Sequence, residues 1–221
     1  MLNPSFGRVV IKNTALTHNF IKNISFYVFM IDKKEFLEMA KDMAGFDQKR
    51  ETIIKNSRDI LKLSKQAVYD IHRDDLNYAK KKIDDAKKEI DILKKSISET
   101  QGLDVVGAFY DALEEWVEAK AYFEFVKKGK IPTKKEFCVD TETYLGGLSD
   151  LTGELSRRAV IKATLGKIDE VKKIREFIDE IHGQFLNFDF RNGELRKKAD
   201  SIKWNLKKVE EVFYDLKTKR K

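Results

Sequence analysis

A single cysteine, Cys138, in 221 residues excludes an intrachain disulfide, and without a cysteine cluster there is nothing of that kind to hold zinc. Prolines number two, Pro4 and Pro132. The long stretch between them therefore has no residue that forbids helix, and it is dominated by the strong helix formers Lys, Glu, Leu and Ala. There is no Gly-rich phosphate loop, no Ser-His-Asp order, and no pair of histidines at helical spacing. Long apolar runs are missing as well. The longest near the N-terminus, Ile24 to Ile31, is interrupted by Ser25 and is about eight residues long, against the roughly 20 that span a bilayer. No small-residue cleavage site follows it, so the expectation is a cytoplasmic chain with neither a membrane span nor a signal peptide.

What remains is a chain 42% hydrophobic and 37% charged, enough to bury one sizeable core while keeping long elements in water. This composition predicts one all-α domain over residues 30–221, preceded by an unassigned extension, 1–29, that is rich in Asn and Phe and has no acid. Charge is unevenly spread. Residues 1–29 carry three basic and no acidic groups (+3), 30–101 carry 17 and 15 (+2), 102–190 carry 13 and 17 (−4), and 191–221 carry 11 and 5 (+6). A basic excess at both ends suits a polyanion partner, although many soluble proteins are equally basic.

The helical pattern opens near Met30. From Asp47 to about Arg73, Ile54, Leu61, Val68 and Ile71 form one stripe, with Lys55, Arg58, Lys62 and Lys65 as a basic stripe beside it. Leu76, Ala79, Ile83, Ala86, Ile90, Leu93 and Ile97 then alternate steps of three and four, a coiled-coil-like seam. A third helix runs from about Val105 to Lys128 and stops at Gly129, with Pro132 just beyond. A fourth covers Thr141 to Leu165. A fifth, capped by Asp169, runs to about Leu186. The last, about Gly193 to Lys217, sets Leu195, Ala199, Ile202, Leu206, Val209, Phe213 and Leu216 at heptad spacing. The pattern predicts a bundle of six or seven helices whose outer seams can pair with other subunits.

The chemistry available is carboxylate. Asp111, Glu115 and Glu118 fall at i, i+4 and i+7 on one face of the third helix, and Asp150 and Glu154 at i, i+4 on the fourth. Like charges at this spacing cost a few tenths of a kcal/mol per pair. If the two helices face each other, a cation such as Mg2+ or Mn2+ compensates them, and a hard cation held by carboxylates can activate water against a phosphodiester. Equally, Glu154 can pair with Arg158, and Glu118 with nearby lysines, on a solvated surface. Spacing leaves both arrangements open.

Residues 144–160, Tyr-Leu-Gly-Gly-Leu-Ser-Asp-Leu-Thr-Gly-Glu-Leu-Ser-Arg-Arg-Ala-Val, resemble the signature helix of the translin family, specifically its X-factor branch. Glu-Glu-Trp-Val-Glu-Ala (114–119) is similar to that branch's paired-glutamate motif. Ser57-Arg-Asp-Ile, Ser64-Lys65 and His72-Arg73 resemble its first long helix. Arg191 to Trp204 and Lys207 to Leu216 are nearer to translin proper. The resemblance implies an all-α translin-type bundle that closes into an octamer around nucleic acid. It also implies that Glu115, Glu118 and Asp150 are catalytic carboxylates which, with Glu154, hold Mg2+ or Mn2+, in an endoribonuclease acting on single-stranded RNA. On the same ground Lys55, Arg58, Lys62 and Lys65 become candidates for contact with the RNA, or DNA, backbone. The mixture of an X-factor-like active helix with a translin-like last helix suggests a homo-oligomer.

Three other readings compete. One is a translin-type oligomer that binds single-stranded RNA or DNA without cleaving it. A di-iron bundle would want a Glu-x-x-His repeat on two helices, whereas His182 follows Asp179 and has no second copy. A helical scaffold would predict neither binding nor metal dependence. His18 and His72 read as ordinary surface or helix residues, and Trp116 and Trp204 as core.

Overall fold

The computed structural model describes residues 31–100, 102 and 107–218. The expected extension at 1–29 lies outside these residues. Contacts divide the chain into two units, Met1–Phe46 and Asp47–Lys221. Seven helices and no strand occur among the described residues: α1 (Lys33–His72), α2 (Leu76–Ser98), α3 (Gly107–Lys128), α4 (Lys134–Phe137), α5 (Thr141–Thr164), α6 (Ile168–Phe185) and α7 (Glu194–Thr218). None is long and apolar enough to cross a membrane.

In the first unit, the Asp32 carboxylate accepts from the backbone N–H of Lys34 at 2.8 Å, satisfying a donor at the start of α1. Phe36, Leu37, Met39 and Met43 of this stretch are exposed.

The second unit is built around α5, which packs against α3, α6 and α7, while α2 lies on α3. The seam expected in α2 is buried at Ala79, Ile83, Ala86, Ile90 and Leu93. In α1 the buried stripe is Ile53, Ser57, Ile60, Ser64, Ala67, Val68 and Ile71. Ile54 and Leu61, expected on that stripe, are only partly covered. The two serines are tolerated there because each hydroxyl donates to the carbonyl four residues back, Ser57 to Ile53 at 2.7 Å and Ser64 to Ile60 at 2.9 Å.

The helix ends follow from local chemistry. Asp140 caps α5 by accepting from the Thr143 N–H at 2.9 Å. Gly129 and Gly166, just past the ends of α3 and α5, take the left-handed backbone that such stops require. Between α3 and α5 lies a turn of helix that the sequence reading lacks: α4 is held by a capping box between Thr133 and Glu136. Its Phe137 is buried edge-on against Trp116. Asp169 does not cap α6, which begins at Ile168 after Lys167 with no side-chain cap. Trp116 is core, its indole N–H donating to the Ile83 carbonyl at 3.2 Å, but Trp204 is not: it is 66% exposed.

Candidate active site

Two adjacent glycines determine how closely α3 and α5 approach. A Cβ on Gly147 would lie 2.7 Å from Val117 Cγ1 and 2.8 Å from the Glu114 carbonyl oxygen, and one on Gly146 would meet the Glu114 carboxylate at 2.5 Å. With no side chain at either position, the α5 backbone lies directly on α3. Asp150 and Glu154, one and two turns further along α5, are thereby carried towards the glutamates of α3.

Glu118 is the buried member of the set, only 7% exposed. Burial, then the charges of Glu115, Asp150 and Glu154, push its carboxyl well above the usual carboxylate range. No cationic side chain among the described residues lies within ion-pair distance of it. The other carboxylates are held by side chains of α1 and α7. Glu115 meets Lys65 of α1 at 3.3 Å, yet burial still leaves its carboxyl raised. Asp150 receives the ammonium of Lys198, from α7, at 2.6 Å, and the same ammonium bonds Glu114. Burial alone would lower the Lys198 ammonium, but its hydrogen bonds to Asp150 and Glu114 outweigh that and hold it above the ordinary lysine value.

Glu154 bonds His72 Nε2 at 2.5 Å and lies 3.7 Å from Arg157. The His72 bond holds the Glu154 carboxyl below its usual range, against the effect of burial. With a proton on Nε2 facing the carboxylate, the other nitrogen of a neutral ring, Nδ1, accepts from the Tyr122 hydroxyl at 3.1 Å. His72 is therefore a buried member of the network, with a side chain 4% exposed, and not the ordinary surface or helix residue expected.

The end of α1 is anchored below this pair. Arg158 donates to the Ile71 carbonyl at 3.1 Å and to Asp74 at 2.7 Å, and Lys162 donates to Asp74 at 2.8 Å. Asp74 has the left-handed backbone that turns the chain out of α1, φ 59°. Arg158 is thus committed to Asp74 and does not pair with Glu154, and among the described residues no lysine pairs with Glu118. The solvated-surface arrangement considered for these carboxylates is not what forms.

Of the residues singled out from sequence, Glu115, Glu118, Asp150 and Glu154 are brought into one electrostatic cluster. Asp111 is exposed and acts on Glu114. Lys55, Arg58, Lys62 and Lys65 are exposed along α1, and Lys65 joins that face to the cluster through Glu115. Lys62 and Lys65 border a shallow groove with Leu61, Tyr69, Asp70 and Lys82. Among the described residues no three metal-donor side chains already converge on one point. Glu114, Lys198 and His72 are members that sequence reasoning missed. Glu114 had a signal, since it stands four residues before Glu118. Lys198 had none, being one of three consecutive cations, Arg196-Lys197-Lys198.

Fold and site together define an all-α protein with an acidic cluster clamped between two closely packed helices and ringed by cations. The chain matches the translin family over residues 48–220 and belongs to it. It is 42% identical to human translin over 83 residues, 38% of this chain, and so spans about a third (36%) of the length of the translins it matches. An uncharacterized protein of Methanocaldococcus jannaschii is 30% identical over 190 residues, 84% of this chain and 83% of that one. Translin-associated protein X of Pongo abelii is 26% identical over 226 residues, covering 83% and 78%. Among solved structures, apo-NeC3PO superposes with a TM-score of 0.76 at 25% identity, covering 85% of this chain and 98% of that one. A complex of AfC3PO with duplex RNA superposes with a TM-score of 0.77 at 22% identity, covering 84% and 98%. The all-α translin-type bundle expected from the motifs is therefore the fold observed.

Proposed function

We propose that the chain is a nucleic-acid-binding, Mg2+- or Mn2+-dependent endoribonuclease that acts on single-stranded RNA inside a closed homo-oligomer, an octamer by family resemblance. Glu115, Glu118 and Asp150 are its catalytic carboxylates, and Glu154 is the fourth metal-binding group. The observation that carries this reading is Glu118, a buried carboxyl beside three others with no cation at ion-pair distance among the described residues. A charge so placed is costly unless a proton or a cation joins it.

The donor set is all oxygen, which suits a hard cation and not a soft one. Such an ion supplies activation of water and neutralisation of charge developing on a phosphodiester. The protein's own groups contribute the rest. His72, fixed by Tyr122, orients Glu154. Lys65 holds Glu115 at the border of the basic face, where a polyanion entering along Lys55, Arg58 and Lys62 meets the cluster. That a protein of this fold carries duplex RNA supports RNA as the partner class, with DNA as a second possible ligand.

The test is cleavage of a labelled single-stranded RNA with Mg2+, Mn2+ or EDTA, comparing the parent with Glu118→Ala and Asp150→Ala while binding is recorded in parallel. Metal-dependent cutting that is lost in both variants while binding persists is the expected result. Salt-sensitive binding without cleavage in any metal would leave a non-catalytic translin-type oligomer.

A further inference from the structure

We propose that Lys198 is the internal counter-cation of the carboxylate cluster: its ammonium occupies Asp150 and Glu114, so a divalent ion loads only by displacing it. Lys198 thus sets how tightly the site binds metal. The inference rests on the metal-dependent reading above and adds a positioning residue that regulates the same site.

The geometry separates Lys198 from its neighbours. Arg196 pairs with Asp200 at 3.2 Å and Lys197 with Glu194 at 2.6 Å, both within the first turns of α7 and both on the surface. Such local pairs are common on helices and contribute little. Lys198 alone of the three reaches off its own helix, to Glu114 on α3 and Asp150 on α5 at once. It is also the only one of the three whose charge lies between the two helices that carry the cluster.

Its side chain is 30% exposed, and a lysine stem is long and flexible, so the ammonium can swing to water without moving the backbone. Release of Asp150 by that swing frees an oxygen donor beside Glu118, and a divalent ion can take the place of the ammonium. Because the displaced cation belongs to α7, any contact that pulls the first turns of α7 away from α3 and α5 frees the cluster for metal. Any contact that presses α7 inward holds the metal out.

The measurement is Mn2+ binding by the full chain, after EDTA treatment, read from the spin-resonance signal of free Mn2+ and independently from thermal unfolding with and without Mn2+. Lys198→Met removes charge and bond together, and Lys198→Gln removes the charge but keeps an N–H donor on a shorter side chain. Lys198→Arg keeps the charge, and Lys197→Met is the surface control. Two half-shielded ion pairs of ordinary strength predict that Met and Gln bind Mn2+ about five- to tenfold more tightly than the parent. Arg and Lys197→Met should stay within about twofold. Without metal the Met and Gln variants should melt below the parent, and saturating Mn2+ should close the gap.

A parent that binds Mn2+ while both neutral variants bind it equally or more weakly would overturn the role assigned to Lys198 and leave the metal site standing. No Mn2+ uptake by any of these proteins would defeat the metal-dependent reading itself, and this inference with it.

Discussion

Glu118→Gln should make the metal-free protein more stable at neutral pH. The substitution keeps the shape of the side chain and replaces a carboxyl, 7% exposed, whose ionised form is disfavoured by burial and by Glu115, Asp150 and Glu154, with no cation at ion-pair distance among the described residues. A buried polar group left without its partner costs about 1–3 kcal/mol, and relief of that cost in a chain of this length raises the melting temperature by about 2–12 °C. The pH dependence fixes the sign. The folded-state value of Glu118 lies above its ordinary value of 4.5, so at pH between the two the folded protein holds a proton that the unfolded chain has released. The stability linked to that proton is fully present below pH 4.5 and is lost as pH rises through the raised folded value. Parent and variant should therefore unfold alike at the acid end, with the variant drawing ahead as pH rises. Thermal unfolding followed by circular dichroism in EDTA, between pH 4.5 and 8, measures this. A Gln variant that melts below the parent at pH 7.5, or a gap that does not widen with pH, would refute the reasoning. Added Mn2+ should then raise the parent more than the variant.

Gly147→Ala should destabilise the fold by about 1–3 kcal/mol, because the new methyl meets Val117 and the Glu114 backbone, which cannot swing aside. Urea midpoints would show it, and RNA cleavage should fall with it as Asp150 is pushed away from α3. Asp74→Ala leaves the nearly buried Arg158 and Lys162 without their shared carboxylate. The expected cost is about 2 kcal/mol, below that of a fully buried pair because Asp74 itself is 55% exposed. Burial opposes it, but Lys162 and Arg158 hold the Asp74 carboxyl below its ordinary 3.8, so this contribution is present above that value and disappears as pH falls through the folded one. Urea denaturation of parent and variant down the acid range checks both points. Lys62→Ala should weaken single-stranded RNA binding equally across sequences and lower the slope of log affinity against log salt by about 0.7, the change expected for one phosphate contact, measured by fluorescence anisotropy.

Where a helix buries a regular apolar seam, as α2 does from Ala79 to Leu93, the sequence states it outright. Elsewhere hydropathy misleads for particular reasons. The first fourteen residues of α1 carry Phe36, Leu37, Met39 and Met43 in the open, so the pattern that opens near Met30 corresponds to helix but not to a buried seam. Further along α1, Ser57 and Ser64 hold core positions because their hydroxyls bond within the helix, which shifts the apparent stripe onto Ile54 and Leu61. The seam of α7 is fully buried only at Ile202, Leu206 and Val209. At the site, spacing reveals which carboxylates share a helix face but not that two helices meet. Gly146 and Gly147 hold that information, and two glycines within a helix are ambiguous until a neighbour is seen lying on them. The partners of the carboxylates were harder still to foresee. Lys65 and His72 reach the cluster from α1 and Lys198 from α7, and nothing in the sequence near the carboxylates connects either helix to them.

The glycine pair makes sequence drift at this contact one-directional. Neither position has a side chain to shorten, so every point substitution at 146 or 147 adds atoms between α3 and α5 and none removes them. The spacing of the two acidic helices is thus already at its lower limit. Descendants of this chain can loosen the cluster by a single change in either glycine, while tightening it would require α3 itself to be rebuilt.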